Sequence, residues 1–460
     1  MPIPAARQPL LARLFNLEPA ETPAVLAGLL LFFLLFTGYF MLRPVRETMG
    51  VAGGVENLQW LFTGTFLATL AVMPLFGWLA SRVPRRRIAL WAYGFFVLNL
   101  LAFAAGLAHK PDSLWLGRSF YIWLSVFNLM AISLAWSVLA DIFSSRQAKR
   151  LFALIAGGAS LGGLSGPLLG TLLVAPIGHA GLLLLSAMLL TGAAATASWL
   201  HRWRDRNPFQ PGNISERNHS DALIRAGHSP SARQRPLGGK PLAGAAEVLR
   251  SPYLIGIAAF VLLLSSVSTF LYFEQARLVA ETFPDRTRQT QVFGLIDTVV
   301  QTLAILTQLF LTGHIARRLG TGVLLTAVPL LIAAGFLWLA AAPVFAAFVM
   351  VMVVRRAGEY ALVRPGREML YTVVTPEEKY KGKSFIDTVV YRGGDALSGW
   401  LKRGLDLLAD HPSLAMLIGA LLALLWAGVG WTLGRQQSRL EGRQTPSGGS
   451  AAPALPGERS

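Results

Sequence analysis

The chain has 460 residues, of which 53% are hydrophobic and 14% are charged, whereas a soluble protein carries roughly a quarter charged residues. A large share of its surface must therefore face lipid, which excludes a soluble enzyme. Cysteine is absent, so a disulfide framework and a thiolate metal site are excluded as well.

Apolar runs of about 20 residues follow one another along the chain, the length that a helix needs to cross a hydrocarbon core about 30 Å thick. The runs are continuous and do not alternate with a period of two, so they indicate helices rather than barrel strands. The polar residues 1–22 predict no cleavable signal before the first run. About twelve membrane-spanning helices are predicted, at residues 24–46, 58–80, 88–108, 114–140, 151–174, 181–200, 252–276, 290–313, 321–340, 343–371, 384–408 and 413–434.

Basic residues concentrate in every second loop between these spans. They follow spans two, four, eight and ten, at Arg82, Arg85, Arg86, Arg87, Arg146, Lys149, Arg150, Arg317, Arg318, Lys379, Lys381 and Lys383. Because short loops rich in Lys and Arg stay on the cytoplasmic side, both termini are predicted to be cytoplasmic. The net charge of +17 is thus explained by membrane orientation, and no nucleic-acid partner is expected.

A polar stretch divides the predicted spans into two groups of six. It is rich in Arg, Pro, Ser and Gly and is interpreted as a flexible basic tether near anionic lipid. A nucleic-acid arm is the alternative, with Trp203 and Phe209 as its only aromatic residues for stacking. The predicted organisation is an N-terminal six-helix bundle at 1–200, a cytoplasmic linker at 201–250, a C-terminal six-helix bundle at 251–434 and a disordered cytoplasmic tail at 435–460.

Six spans, a linker and six spans are also the arrangement of the major facilitator superfamily, whose halves are internal repeats. Residues 77–86, G-W-L-A-S-R-V-P-R-R, resemble the superfamily loop G-x-x-x-D-R-x-G-R-R and depart from it at Ser81 and Pro84. Residues 313–320, G-H-I-A-R-R-L-G, occupy the equivalent place in the second half. The resemblance implies a central cavity lined by spans one, four, seven and ten.

A short motif occurs both at the end of span one and in span ten. Residues 42–47, L-R-P-V-R-E, match residues 363–368, V-R-P-G-R-E, at four of six positions. Coincidence among Arg-rich helix ends is one interpretation. The other is that each copy places two guanidinium groups beside a Pro-disturbed helix, where freed backbone groups meet a ligand.

Charged side chains at membrane depth cost at least ~2.5 kcal/mol each at a helix centre, and they therefore indicate a functional cavity. Arg355 and Glu359 are spaced as an ion pair within one helix. If span ten is shifted by several residues, the charges from Arg364 onward become interfacial and extend to the membrane surface instead. Span ten carries the densest set, at Arg355, Arg356, Glu359, Arg364, Arg367 and Glu368.

An excess of arginines over acids predicts an anionic, phosphate-bearing cargo, because guanidinium binds phosphate oxygens through two parallel hydrogen bonds. The acids then serve as counter-ions in the empty state. Glu274 has two open interpretations, proton coupling or a structural ion pair with Arg277. No cofactor, metal or catalytic residue is predicted. The predicted substrate-binding residues are Arg43, Arg46, Glu47, Asn128, Glu274, Arg277, Arg356, Glu359, Arg364, Arg367, Lys381, Lys383 and Asp387.

Small residues open span five, at Gly157, Gly158, Gly162, Gly163 and Gly166. A phosphate-cradling loop is one interpretation, although the Lys-Ser/Thr ending and a preceding strand are missing. Close helix crossing is the favoured one.

Several segments resemble the ATP/ADP translocase family of nucleotide transporters. They are residues 15–18 with 42–47, residues 147–154, Glu274, and residues 364–371 with 379–387, where K-Y-K-G-K-S-F-I-D resembles the family run K-x-K-G-K-x-x-I-D. By this resemblance, the residues needed for nucleotide exchange fall on Arg46, Glu274, and Lys381 or Lys383. The family's fourth-helix acid is missing, with Asn128 nearest to its place, and Arg46 replaces the usual lysine.

The expected function is exchange of nucleotides or related phosphorylated anions by alternating access, in a monomer of the bacterial inner membrane. Two alternatives stay open. One is a proton-coupled permease for another organic anion or drug, in which Glu274, Asp297 or Asp387 carries the proton. The other is a non-transporting scaffold or sensor that acts through its linker or tail.

Overall fold

The computed structural model describes residues 17–82, 85–207, 244–375, 378–408 and 412–444. All regular structure in these ranges is helical, which confirms the predicted all-α fold. The helices are α1 (Thr22–Ala52), α2 (Leu58–Arg82), α3 (Arg85–His109), α4 (Leu114–Ile142), α5 (Ser145–Arg206), α6 (Ala245–Arg250), α7 (Pro252–Thr282), α8 (Arg286–Thr307), α9 (Gly313–Ala341), α10 (Phe345–Gly358), α11 (Arg364–Leu370), α12 (Lys383–Phe385), α13 (Tyr391–Leu408) and α14 (Pro412–Gln444). Wider π-helical turns lie at Gln308–Thr312, Glu359–Val363, Glu378–Gly382 and Ile386–Val390, and a 3₁₀ turn lies at Val55–Asn57.

Eight helical segments of the described chain are long and apolar enough to cross a membrane. Two of them, Arg146–Arg206 with 61 residues and Arg286–Ala341 with 56, are much longer than one crossing requires. Each bends at a glycine with positive φ, 68° at Gly178 and 77° at Gly320, a conformation that L side chains rarely adopt. These glycines separate predicted span five from six and span eight from nine. Spans ten and eleven, which carry charges, are not among the eight, and the total of twelve crossings stays a prediction.

Two large clusters of buried apolar side chains form the cores. One draws on residues 24–200 and the other on residues 248–433. We refer to residues 17–207 as the N-terminal half and to residues 244–444 as the C-terminal half. Each core stays within one half, which is the arrangement expected of two helix bundles.

The glycines of α5 allow it to pack directly on the backbone of α1. Gly158, Gly162, Gly166 and Gly170 recur every four residues, so they lie along one face of the helix. A Cβ added to any of them would lie only 2.2–3.0 Å from a carbonyl oxygen of α1. The small residues therefore serve helix packing, as favoured from the sequence, and not a phosphate loop.

The two halves touch at one end of the molecule, where α1 and α7 end and α2 and α8 begin. We call this the closed end. Trp60 packs edge-on against Trp400 with ring centroids 4.7 Å apart, and Arg286 forms an ion pair of 3.1 Å with Asp112. A small apolar cluster joins both halves there, built from Val51, Leu58, Leu61, Tyr121, Phe273, Ala276, Val279 and Phe293.

Two helices continue past the predicted ends of the bundles at 200 and 434. In the extension of α14, Arg435 stacks on Trp431 at 4.8 Å, and the Gln437 amide donates a hydrogen bond of 2.5 Å to Glu441. Contacts between neighbouring turns thus keep this polar stretch helical. Most of the predicted linker and tail falls outside the described residues, at 208–243 and 445–460.

Candidate functional site

A cavity of about 710 Å³ lies between the two halves, a volume typical of small-molecule sites. The N-terminal half lines it with α1, α2, α4 and α5, and the C-terminal half lines it with α7, α8, α10 and the segments from there to α13. Tyr121 and Phe293 belong both to the cavity wall and to the apolar cluster of the closed end. The closed end therefore forms one boundary of the cavity.

Charged residues dominate this cavity. In the ranges that the structure describes, its wall contains seven arginines, at Arg43, Arg46, Arg355, Arg356, Arg364, Arg367 and Arg392. It also contains six acids, at Glu47, Asp297, Glu359, Glu368, Asp387 and Asp395. Arginine is thus in excess, as the sequence predicted, but only by one charge. Nine of the thirteen predicted binding residues line the cavity, at Arg43, Arg46, Glu47, Asn128, Arg356, Glu359, Arg364, Arg367 and Asp387.

Arg46 of α1 is held against α4. Its Nη2 pairs with Glu47 at 2.5 Å, and its Nη1 donates a hydrogen bond of 3.1 Å to the hydroxyl of Ser125. The guanidinium also lies over the ring of Tyr121, at 4.8 Å from the centroid. Glu47 in turn accepts a hydrogen bond from the hydroxyl of Tyr272, in the other half. These contacts fix Arg46 in the wall without enclosing it from the cavity.

Arg43, one helical turn earlier, reaches across the cavity to the C-terminal half. It donates to the hydroxyl of Tyr360 at 3.2 Å, and its Nε lies 3.6 Å from Oδ2 of Asp297. The other oxygen of Asp297 pairs with Nη1 of Arg356 at 2.5 Å. Asp297 on α8 therefore lies between one arginine from each half.

The remaining arginines pair with acids of the C-terminal half. Arg355 contacts Glu359 at 3.0 Å, which confirms the ion pair expected from their spacing. Arg364 lies 3.6 Å from the same carboxylate, and Arg367 lies 3.2 Å from Asp387. Arg364 and Arg367 thus both line the cavity, and their depth in the membrane stays a prediction.

The repeated Arg-Pro motif affects the backbone differently from the prediction. Because Pro365 has no N–H, the carbonyl of Ala361 loses its usual helical partner. Thr312 fills that role by donating a hydrogen bond of 2.8 Å to this carbonyl, and Gln308 donates one of 3.0 Å to the neighbouring carbonyl of Tyr360. The expectation that a freed carbonyl meets a ligand is therefore wrong here, since the π-helical turn Gln308–Thr312 after α8 supplies both donors.

Several buried donors of the cavity have no hydrogen-bond partner among the described residues. A buried donor left unpaired costs about 1–3 kcal/mol, so such atoms indicate where an acceptor fits. The donor atoms concerned are Arg46 Nε, Arg355 Nε, Arg356 Nη2 and Arg367 Nε. Buried acceptors without a hydrogen-bond partner in the same ranges include Oδ2 of Asp297 and Oδ1 of Asp387.

Four predicted binding residues lie outside the cavity wall. Glu274 and Arg277 form an ion pair with each other, with Nε 3.2 Å from Oε2, which is one of the two interpretations left open by the sequence. Lys383 pairs with Glu368 at 2.5 Å, and Lys381 is exposed. This arrangement does not support direct contact of these four residues with a ligand in the cavity. Glu274 and Arg277 already pair with each other beside the closed end.

Other lining residues were absent from the predicted binding set. From the sequence, each of three such residues stands out only as a charge within an apolar span. They are Asp297, Arg392 and Asp395. The neutral residues Thr65 and Thr69 of α2 carry no sequence signal, because hydroxyl side chains are common in membrane helices where they bond to their own backbone. In the ranges that the structure describes, no group of three or more His, Asp or Glu side chains is placed to hold a metal ion.

Sequence comparison identifies the class of protein to which this fold and cavity belong. Residues 25–358 match the profile of the Major Facilitator Superfamily, which is more than half of the chain. The chain therefore belongs to the Major Facilitator Superfamily, and it is a multi-pass membrane transporter rather than an enzyme.

Curated relatives narrow the similarity further. The chain is 25% identical to ADP,ATP carrier protein 1 of Chlamydia muridarum over 352 residues, covering 68% of this chain but less than two thirds, 63%, of that relative. It is 23% identical to ADP,ATP carrier protein 2 of Chlamydia pneumoniae, with 89% of this chain and 87% of the relative covered. ADP,ATP carrier protein 1 of Chlamydia trachomatis gives 23%, with 90% and 88% covered.

Solved structures agree on the fold. A bacterial homologue of the human lysosomal transporter Spinster, in an inward-facing and unoccupied conformation, matches with a TM-score of 0.59 at 15% identity, covering 94% of this chain and all of that one. A bacterial homologue of the iron transporter ferroportin, in an inward-facing state, gives 0.61 at 15% identity, with 93% and 100% covered. At such identities the likeness shows the fold alone.

Proposed function

We propose that the protein exchanges nucleotides, or closely related phosphorylated anions, across the membrane by alternating access. The observation that carries this proposal is the set of buried guanidinium N–H groups in the cavity that have no hydrogen-bond partner among the described residues, at Arg46, Arg355, Arg356 and Arg367. Phosphate oxygens are acceptors of the right charge and geometry for these donors. The similarity to ADP,ATP carriers supports a nucleotide as the phosphate-bearing compound.

The ion pairs of the cavity suggest how binding is coupled to movement. A bound phosphate offers oxygens to Arg43 and Arg356 and so competes with Asp297, which lies between them. The contact of Arg43 with the C-terminal half is then replaced by a contact through the ligand. A ligand shifts the equilibrium toward the conformation that it binds more tightly. If it binds most tightly when both halves close around it, binding favours that closed conformation.

The orientation follows from the basic loops. If these loops are cytoplasmic, the closed end lies on the opposite side of the membrane, and the cavity of this conformation opens toward the cytoplasm. We propose this arrangement for the inner membrane of a bacterium, with both termini cytoplasmic.

Counter-exchange by the purified protein tests the proposal. Liposomes that contain the protein and internal ADP should take up labelled ATP, and liposomes without an internal anion should take up much less. Arg356→Ala should abolish uptake, whereas Arg435→Ala, which removes an arginine stacked on Trp431 away from the cavity, should leave it intact. Absence of exchange across a panel of nucleotides and phosphorylated metabolites would contradict the proposal.

The proton-coupled alternative predicts a different response in the same liposomes. Each proposed proton carrier, Glu274, Asp297 or Asp387, lies in an ion pair with an arginine. Exchange that proceeds equally with and without a pH gradient would exclude obligatory proton coupling. Uptake that requires the gradient would favour the permease.

A further inference from the structure

Part of the cavity wall carries no charge at all. On α2, Phe62, Thr65 and Thr69 line the cavity, and on α4, Ser125 and Asn128 do so. The spacings of three and four residues place each set on a single face of its helix. The N-terminal half therefore presents an uncharged, hydrogen-bonding surface to the same cavity that the arginines of the C-terminal half line.

This uncharged surface begins where Arg46 is fixed. Arg46 contacts Ser125, and Asn128 follows three residues later, about 4.5 Å farther along the helix axis at 1.5 Å per residue. Leu129 and Ile132 continue the lining in the same direction. An anion bound by Arg46 would therefore place an attached organic group beside Asn128.

Two polar atoms of this surface are buried without a hydrogen-bond partner among the described residues. They are Oδ1 of Asn128 and Oγ1 of Thr65. An amide offers both donors and an acceptor, and a hydroxyl offers either. They suit a ligand that presents donors and acceptors together, which a phosphate group alone does not.

Aromatic and amide groups from other helices line the same cavity. Phe36 and Phe40 of α1 line the cavity with their rings stacked, 6.0 Å apart at 23°. Gly163 of α5 lies beside Gln301, whose amide would be 3.7 Å from a Cβ at that position, and both residues line the cavity. Flat rings of the ligand can therefore meet an aromatic face as well as amide groups.

We infer that this uncharged surface binds the heterocyclic base of a nucleotide, with Asn128 as a residue that determines specificity. The inference rests on the proposed function, because it assumes that the arginines hold the phosphates. It adds that recognition is divided, with the phosphates bound mainly by α1 and the C-terminal half and the base read by α2 and α4. An amide at residue 128 suits this role better than an acid, since it can both donate to and accept from the base without repelling the phosphates.

Competition between two ligands tests the division. Labelled ATP is bound to the purified full-length protein and displaced either with unlabelled ATP or with inorganic tripolyphosphate, which has the phosphates but no base. For the unchanged protein, ATP should compete at least about tenfold more tightly than tripolyphosphate. For Asn128→Ala, the displaced ligand is labelled tripolyphosphate. The affinity for ATP should fall about tenfold, and the affinity for tripolyphosphate should change less than twofold.

Asn99 supplies a matched control. It is half-buried and lies outside the cavity wall, and in the part of the chain that the structure describes its amide donates only to the carbonyl of Phe95 in its own helix. Asn99→Ala should leave both ligands unchanged. Thr65→Val removes a hydroxyl at nearly constant volume and gives a second test should Asn128→Ala fold poorly. Thr65→Val should also lower the affinity for ATP more than the affinity for tripolyphosphate.

The outcomes separate the two proposals. Tight binding of tripolyphosphate, with no advantage for ATP or with equal losses for both ligands in Asn128→Ala and Thr65→Val, would overturn the base site and leave phosphate binding intact. Binding of neither ligand would overturn the base site, and with no exchange across the panel of nucleotides and phosphorylated metabolites it would overturn the proposed function as well. Selective loss of ATP in the variants would support both.

Discussion

The two walls of the cavity differ in the number and balance of their charged residues. Of the described residues, the N-terminal half contributes three charged lining residues, Arg43, Arg46 and Glu47, all within five residues of α1. The C-terminal half contributes five arginines and five acids, spread from α8 to α13. The C-terminal wall is therefore balanced in charge, and the single excess positive charge of the cavity comes from α1.

This difference indicates how an anion can enter a cavity that is nearly neutral. The C-terminal arginines already have internal carboxylates, so a ligand must compete with those carboxylates for them. On the N-terminal wall, by contrast, Arg43 and Arg46 have a single acid of their own half between them, Glu47. We expect the N-terminal wall to supply attraction and the C-terminal wall to supply exchangeable pairs.

The largest effect is expected on the balanced wall. Arg356→Ala leaves the Asp297 carboxylate buried with only the more distant Arg43, and breaking a buried pair in this way costs about 3–5 kcal/mol. Thermal unfolding of the purified protein should show the loss, and ATP binding should disappear. The double variant Arg356→Ala with Asp297→Asn should recover much of the stability but none of the binding. Equal stability of the single and double variants would show that the pair is not electrostatically coupled.

A smaller effect is expected on the attractive wall. Arg46→Lys keeps the charge but replaces a planar guanidinium with a point charge that cannot bind in a bidentate manner. Loss of a hydrogen bond to a charged group should weaken ATP binding by about 1.5–3 kcal/mol, measured by ligand displacement. The substitution Arg435→Lys, outside the cavity, provides the control. An unchanged affinity in Arg46→Lys would mean that charge alone matters at this position.

The contact between the two halves should respond more weakly still. Trp400→Ala removes the edge-on contact with Trp60 and the hydrogen bond of 3.1 Å to Thr63, and an aromatic pair contributes about 0.5–1.5 kcal/mol. The closed end should open in a larger fraction of molecules. Because the chain has no cysteine, spin labels on two introduced cysteines, one in each half, can measure this fraction directly.

Trp91→Ala, at an exposed position of α3, is the matched control and should leave the distance distribution unchanged. If Trp400→Ala also leaves it unchanged, the aromatic contact does not hold the closed end.

The smallest effect is expected at the margin of the C-terminal wall. Lys383 and Glu368 form a partly exposed pair, with side chains 30% and 52% exposed, and such pairs contribute at most about 1 kcal/mol. Lys383→Ala should therefore change equilibrium ATP binding less than about threefold. A complete loss of binding would show that this lysine, which the family resemblance links to nucleotide exchange, reaches the ligand in another conformation.

Contacts within one helix can be predicted from the sequence, whereas contacts between helices that are distant along the chain cannot. The Arg355–Glu359 pair follows from spacing on one helix and was predictable. The open question at Glu274 could not be resolved from the sequence, because both a neighbouring arginine and a distant partner were available. Asp297 was visible as a charge in span eight, but its position between Arg43 and Arg356 depends on how three helices from two halves pack.

The amino-acid sequence alone determined that this protein is an all-helical membrane protein with arginines beside its apolar spans, because the cost of moving residues into lipid acts on each segment independently. It also determined the close packing of α5, since only glycine omits the Cβ. Only the tertiary structure decided which carboxylate each arginine meets and that uncharged and charged surfaces line one cavity. Those features depend on the relative positions of helices that are far apart in sequence, and no local pattern of residues encodes them.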